Sequence, residues 1–159
     1  CTVNTARIEA AMEVFAEHPG IEIVGRDSGM WNRQKSLDVM QNILVKAPKI
    51  DAVWASDDDM ALGAEQAIVE AGRQDEMWIL GGAGMKDIVK RVMDKDPMYP
   101  ADITYPPSMI ATGIQMAVSV LEDGNRGEVM KFMPSHLMID VEVIRPENAK
   151  RFYFPDSVF

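Results

Sequence analysis

The stretch DAVWASDDDMAL, residues 51–62, decides how the rest of the chain is organised. Its short apolar run is typical of a strand, and the pattern after the three aspartates is typical of a helix. In a chain that alternates strands with helices, this junction is the carboxyl end of a strand, where open parallel sheets place their ligand sites. The functional signal is therefore a strand end rather than an enzyme motif.

Strands and helices alternate on both sides of this stretch. Apolar residues at three- and four-residue spacing predict helices over residues 5–18, 33–46, 58–71, 85–93 and 108–121. Short apolar or alternating runs predict strands over residues 21–24, 52–55, 77–80, 102–105 and 137–144. This order predicts an α/β fold: a three-layer, Rossmann-like parallel sheet with helices on both faces.

Composition narrows the class of partner. The chain has 159 residues, 47% of them hydrophobic, which is enough for one domain with its own core. Its formal net charge of -9 disfavours a nucleic-acid surface and favours a neutral or cationic small ligand. The single cysteine, Cys1, allows no disulfide within the chain, and no apolar run approaches the length of a membrane span.

The three aspartates at 57–59 have two interpretations. A carboxylate at the start of a helix caps free N–H groups and favourably meets the helix dipole. Three carboxylates in a row repel one another, however, and one that faces a cleft accepts hydrogen bonds from neighbouring hydroxyls of a polyol. The residues alone leave both interpretations open.

The turn formed by Gly81-Gly82-Ala83-Gly84 follows a strand and opens a helix, as a dinucleotide fingerprint does. Gly82 and Gly84 match the first two glycines of the G-x-G-x-x-G pattern, but the position of the third glycine is Asp87, whose carboxylate would repel a pyrophosphate. The match is therefore partial, and a plain strand-to-helix turn is the alternative. His18 and His136 have no neighbouring ligands at metal-binding spacing, and no nucleophile motif is present. We expect no metal, no cofactor and no enzymatic activity.

Two further side chains have alternative roles. Trp31, in a polar loop, either caps the core or offers an apolar platform to the C–H face of a sugar ring. Arg7, one turn into the first helix and away from Ile8, is by its position a solvated charge.

Several motifs together resemble the type I periplasmic sugar-binding proteins, the ribose-binding group of ABC-importer receptors. They are NTAR (4–7), WNRQKSLDVMQNIL (31–44), AVWASDDDMALGA (52–64), ILGGAG (79–84), ADITYPP (101–107) and RPENAKRFYFPDSVF (145–159). The resemblance implies two similar lobes that close on a sugar or polyol without chemistry, in the periplasm, with an ABC permease of the inner membrane as partner. An effector core of the lactose-repressor type shares this fold and is the alternative; a dinucleotide-dependent enzyme is the weaker one.

The resemblance also implies how the chain is divided. Residues 1–105 would form the carboxyl-terminal ligand-binding lobe, and residues 106–159 the hinge-crossing helix, strand and tail that pack partly on the amino-terminal lobe. Since that lobe and a signal peptide have no counterpart here, we expect the chain to be a fragment. The apolar face of the helix over 108–121 is then expected to be exposed.

Site residues carry over position by position from the resemblance. Arg7 matches an arginine that donates to ring and hydroxyl oxygens, Trp31 an aromatic that stacks on the sugar, and Asp57 a residue facing the hydroxyls. Ala83 stands where the family has an aspartate, and Tyr105 where it has a glutamine near the hinge. Asp57 or backbone groups around Ala83 would then carry more of the recognition, while Asp58 and Asp59 serve capping and solvation.

Overall fold

The computed structural model describes residues 2–105, 108–122 and 137–157. Five helices lie in these ranges: α1 (Thr2–Ala16), α2 (Arg33–Lys46), α3 (Asp58–Glu70), α4 (Lys86–Met93) and α5 (Ser108–Glu122). The strands are β1 (Ala52–Trp54), β2 (Trp78–Leu80), β3 (Asp102–Ile103) and β4 (Val143–Ile144), and a 3-10 turn covers Ala149–Arg151.

The strands form a small mixed sheet system. β1 and β2 are parallel, with Val53 opposite Ile79. A parallel bridge between Ala83 and Thr104 links the end of β2 to β3, and β4 pairs with β3 in the antiparallel direction. The α/β fold with a parallel sheet is confirmed, and the antiparallel β3–β4 pair is an addition to it.

The helix starts follow local capping chemistry. Asn32 accepts a hydrogen bond from the Lys35 N–H at 2.9 Å and caps α2. Asp57 accepts one from the Met60 N–H at 2.7 Å and caps α3. Gly72, just past the end of α3, has a φ of 68°, the left-handed conformation that ends helices.

The core lies where α3 and α4 cover the strands. Ala61, Ile68, Ile79 and Val89 are fully buried. Further fully or nearly fully buried residues come from α2, α4, the segment after α4 and the tail: Leu37, Met40, Ile88, Val92, Met98, Tyr99, Ile144 and Ala149. Gly63 on α3 lies against the start of α2, where a Cβ would be 2.1 Å from the Arg33 carbonyl oxygen, so these two helices pack closely.

The carboxyl tail packs back on residues 1–105. Ile144 and Ala149 are fully buried, and Phe152 and Tyr153 pack against the core. Lys86 at the start of α4 donates to the Ser157 carbonyl at 2.6 Å. Residues 106–159 were expected to pack partly on the amino-terminal lobe; within the described residues, part of the tail up to residue 157 packs on this lobe.

One predicted strand is wrong and another is shorter than predicted. Residues 21–24 have no regular secondary structure and pair with no described strand, and Ile21, Ile23 and Val24 are 44–49% exposed. Of residues 137–144 only Val143–Ile144 forms a strand, since residues 137–141 are exposed and meet no partner strand among the described residues. β-Patterning identifies a segment that fits a sheet, but only a neighbouring strand makes it one. Residues 124–127, which Gly124 and Gly127 predict to form a turn, lie outside the described residues.

α5 carries the predicted apolar face. Ile110 and Ile114 are 68% and 59% exposed, and Val118 and Leu121 extend the same stripe. Three other apolar residues of this helix, Met109, Met116 and Val120, are half-buried, so the expected exposure of its apolar face is incomplete. None of the helices within the described ranges is long and apolar enough to cross a membrane.

Candidate functional site

Arg7 is the centre of a cluster at the carboxyl end of β1. The amphipathic face of α1, predicted from its spacing, is half-buried and includes Arg7. The guanidinium donates to the Ser56 carbonyl at 2.8 Å, directly after β1. Arg7 is therefore held against the sheet edge and is not the solvated charge that its helix position suggested.

Two aromatic rings flank this guanidinium. Its central carbon lies 4.5 Å from the Tyr105 ring centre and 5.6 Å from that of Trp31. Cation–π attraction at these distances orients the planar group, because the ring faces are electron-rich. Three residues from distant parts of the chain, all named from the resemblance, are thus brought together.

The loop before α2 holds Trp31 in an unusual backbone conformation. Met30 and Trp31 both have a φ of 54°, in the left-handed region that side chains with a Cβ seldom adopt. The Asn32 N–H closes this turn on the Gly29 carbonyl at 3.0 Å. Such strain persists where surrounding contacts demand it, and here it leaves the indole 39% exposed beside Arg7.

Asp57 lies next to this cluster and is half-buried. Burial raises the pKa of its carboxyl, while the Met60 N–H and the Arg7 charge act in the opposite direction. The residue caps α3 through Oδ1. Capping and proximity to Arg7 thus occur in the same side chain, so the two interpretations of this aspartate do not exclude each other.

Ala83 is buried in the link between β2 and β3. It is 7% exposed, its N–H donates to the Ile103 carbonyl at 2.8 Å, and its carbonyl accepts from the Tyr105 N–H at 3.3 Å. Both backbone groups are therefore used in linking β2 to β3. This pairing argues against the alternative that the backbone of Ala83 itself recognises hydroxyls.

Asp58 is the residue for which the sequence interpretation was wrong. It was assigned to capping and solvation, but it is fully buried and accepts from the N–H groups of Gly82 and Met85, each at 2.8 Å. Asp59 does fit its assignment, since it forms an exposed ion pair with Arg33. Asp58 instead holds the turn after β2 against the start of α3.

Asp102, the first residue of β3, was missed altogether. It is fully buried and lies within hydrogen-bonding reach of Asp58. Its Oδ2 accepts from the Gly84 N–H at 3.2 Å. The only signal for it in the sequence was an acid inside an apolar strand pattern, and no spacing rule connects it with Asp58.

The same contacts exclude a phosphate cradle at residues 82–85. The N–H groups of Gly82 and Met85 donate to Asp58, that of Gly84 to Asp102, and that of Ala83 to the Ile103 carbonyl. A pyrophosphate would need those N–H groups and would face two carboxyls. The partial dinucleotide fingerprint is a structural turn.

Gly81 allows the close approach of this turn to Asp58. A Cβ at Gly81 would lie 2.3 Å from Asp58 Oδ1, whereas one at Gly82 would be at least 3.8 Å from every described neighbour. We therefore expect Gly81→Ala to lower the free energy of unfolding by about 1–3 kcal/mol, the usual cost of overpacking. Urea denaturation followed by circular dichroism measures it. Gly82→Ala is the matched control with little expected change, and equal effects of the two variants would contradict the assignment.

Comparison with known proteins adds the family. A model described as "Periplasmic binding protein domain" matches residues 2–126, most of the chain. The chain belongs to the periplasmic binding protein family. The match confirms the resemblance and the type of fold. It also agrees with the prediction that the chain is not an enzyme, because the relatives described below are binding proteins.

Relatives in the periplasmic binding protein family include the ribose import binding protein of Salmonella typhimurium, 37% identical over 117 residues, which are 73% of this chain and 38% of the relative. The galactofuranose-binding protein of Escherichia coli is 31% identical over 154 residues, 94% of this chain and 46% of the relative. A solute binding protein from Bacillus halodurans with bound myo-inositol superposes with a TM-score of 0.75 at 25% identity, over 92% of this chain and 48% of that chain. The chain thus spans less than half the length of these binding proteins.

Proposed function

We propose that this chain supplies one lobe of a solute-binding component of an ABC importer, and that it binds a neutral sugar or sugar alcohol at the Arg7 cluster without chemistry. The observation that carries this proposal is the guanidinium of Arg7, which donates to the Ser56 carbonyl and lies over the rings of Trp31 and Tyr105, with Asp57 nearby. A fixed donor, an acceptor and an aromatic surface match the hydroxyls and the apolar C–H face of a polyol.

The same proposal includes the division of the chain into domains, its compartment and its transport partner. Residues 1–105 form the ligand-binding lobe, and residues 106–159 cross the hinge and pack partly on a second lobe, while β4 and part of the tail pack back on the first lobe. The periplasm is its compartment, and an ABC permease of the inner membrane is its partner. Relatives named for import and for periplasmic sugar binding favour transport over a lactose-repressor-type regulator.

Calorimetric titration tests the proposal on the protein expressed from its complete reading frame. The panel holds pentoses, hexoses, sugar alcohols and myo-inositol, with NAD and a uronic acid as negative controls. We expect saturable binding of at least one neutral polyol. A folded protein that binds no neutral member, or that prefers the uronic acid, would contradict the proposal.

Intrinsic fluorescence offers a second test because the chain has three tryptophans. Trp31 lies in the cluster, while Trp54 packs edge-on against Phe15 and Trp78 is 43% exposed at the start of β2. We expect a bound polyol to change the emission of Trp31, so that Trp31→Phe abolishes the ligand-induced signal. Trp78→Phe is the matched control, in which we expect the ligand-induced change in emission to remain. If that change also remained in Trp31→Phe, stacking of the sugar on Trp31 would be contradicted.

A further inference from the structure

Two fully buried acids, Asp58 and Asp102, lie close along the chain to site residues Asp57 and Tyr105. The proposed sugar contacts use neither of them. Both carboxyl groups accept from N–H groups of the same four-residue turn: Gly82 and Met85 donate to Asp58, and Gly84 donates to Asp102. Two ionised carboxylates on one buried turn repel each other strongly, because little water screens their charges. One proton on the pair removes this repulsion.

The hydrogen bonds around the pair indicate which acid carries the proton. Asp58 receives two backbone N–H donors, a setting that favours the ionised form. Asp102 Oδ1 is buried and has no hydrogen-bond partner among the described residues. A proton on that carboxyl turns an unpaired acceptor into a donor, with the Asp58 carboxylate as the acceptor.

We propose that Asp58 and Asp102 share one proton in the folded protein and act as positioning residues for the candidate site. Asp58 adjoins Asp57, the Gly82–Met85 donors belong to the turn that carries Ala83, and Asp102 lies three residues before Tyr105. The pair therefore ties the ends of β1 and β2 to β3. It deepens the proposed function, because these are the segments that carry the site, but it involves no contact with a ligand.

Electrostatics around the pair agree with this assignment. Burial, and then the Asp58 charge, raise the pKa of Asp102 from its ordinary 3.8 to about 8; burial also raises the pKa of Asp58. The other titratable groups that face the pair are Asp57, on the adjacent cap, and Tyr99, from the segment between α4 and β3. The Tyr99 hydroxyl in turn donates to Glu65, which pairs with Arg91.

The sign of the pH effect follows from these values. Asp102 is protonated in the folded chain and ionised in the unfolded chain between about pH 4 and about pH 8, so the folded state binds the extra proton. Stability from this proton is complete below about pH 4 and is lost as the pH rises to about 8, above which it changes no further.

Asp102→Asn is the informative variant, because its amide donates to Asp58 as the protonated acid does and does not titrate. Asp59→Asn, on the exposed neighbour, is the matched control. We expect wild type and Asp59→Asn to show an infrared carbonyl band of a protonated carboxylic acid at neutral pH that disappears above about pH 8. Asp102→Asn is expected to lack it. Absence of this band from the wild type overturns the proposal without any variant, and so does its persistence in Asp102→Asn.

Two further readouts separate a shared proton from a merely buried acid. The urea midpoint of the wild type is expected to fall relative to Asp102→Asn as the pH rises to about 8 and then to run parallel to it. Protection factors of the Gly82 and Met85 amides are expected to fall over the same interval in the wild type only. Identical pH profiles in both proteins overturn the positioning role. No readout uses a sugar, so failure of sugar binding and failure of this proposal are distinguishable.

Discussion

Arg7→Met is expected to weaken sugar binding about 10- to 100-fold, since a hydrogen bond from a charged group contributes about 1.5–3 kcal/mol. Methionine keeps an unbranched apolar stem on α1 but loses the donors and the charge that lie between the rings of Trp31 and Tyr105. Calorimetry with the best-bound member of the polyol panel measures the change in Kd.

Arg7→Lys separates the contribution of charge from that of shape. Lysine keeps the charge but lacks the planar fork that stacks on two rings and reaches the Ser56 carbonyl, so we expect it to bind more weakly than wild type. Arg145→Met, at an exposed arginine of the tail, is the control with unchanged Kd. Wild-type affinity in Arg7→Met, with the fold intact by circular dichroism, would remove Arg7 from the site.

Gly63→Ala is expected to destabilise the fold more than Gly81→Ala does, because the added methyl group meets backbone. A Cβ at Gly63 would lie 2.1 Å from the Arg33 carbonyl oxygen and 3.1 Å from the Ser36 Cβ. Backbone cannot rotate away as a flexible side chain does, so α2 and α3 must separate. A clash with backbone is expected to cost the upper end of the usual overpacking range or more, about 3 kcal/mol at least, and the better helix propensity of alanine returns about 1 kcal/mol. The net loss is then at least about 2 kcal/mol.

Gly113→Ala is the matched control, because it places the same methyl group in a helix with none of the described heavy atoms within 4 Å. There alanine is expected to stabilise by about 0.5–1 kcal/mol through helix propensity alone. Opposite signs of the two changes in thermal or urea unfolding identify the α2–α3 contact as the cause. A Gly63→Ala protein as stable as wild type would show that the two helices do not pack at this distance.

The α2–α3 contact also bears on the site. α2 begins directly after Trp31 and Asn32, and α3 begins directly after the Asp57 cap. A shift between the two helices therefore changes the separation of the aromatic and the carboxylate. We expect Gly63→Ala to weaken polyol binding as well as stability, whereas Gly113→Ala leaves Kd unchanged.

Local pattern was enough for much of this protein. The periodicity over 33–46 predicted α2 with its observed bounds, and the aspartates and Gly72 marked both ends of α3, because capping and left-handed turns depend on only a few neighbouring residues. The motif resemblance indicated the family and named Arg7, Trp31 and Tyr105 as site residues. In the structure the rings of Trp31 and Tyr105 both lie within 6 Å of the Arg7 guanidinium.

What only the tertiary structure decided is which partner each residue has. Sequence alone could not distinguish Asp57, half-buried beside Arg7, from Asp58, fully buried against Asp102, since adjacent residues at a helix start point in different directions. Nor could it show that residues 21–24 have no strand partner among the described residues while Ile144 has one, because pairing joins segments distant along the chain. Desolvation and hydrogen bonding act through space, so the proton on the Asp58–Asp102 pair is a property of the folded chain.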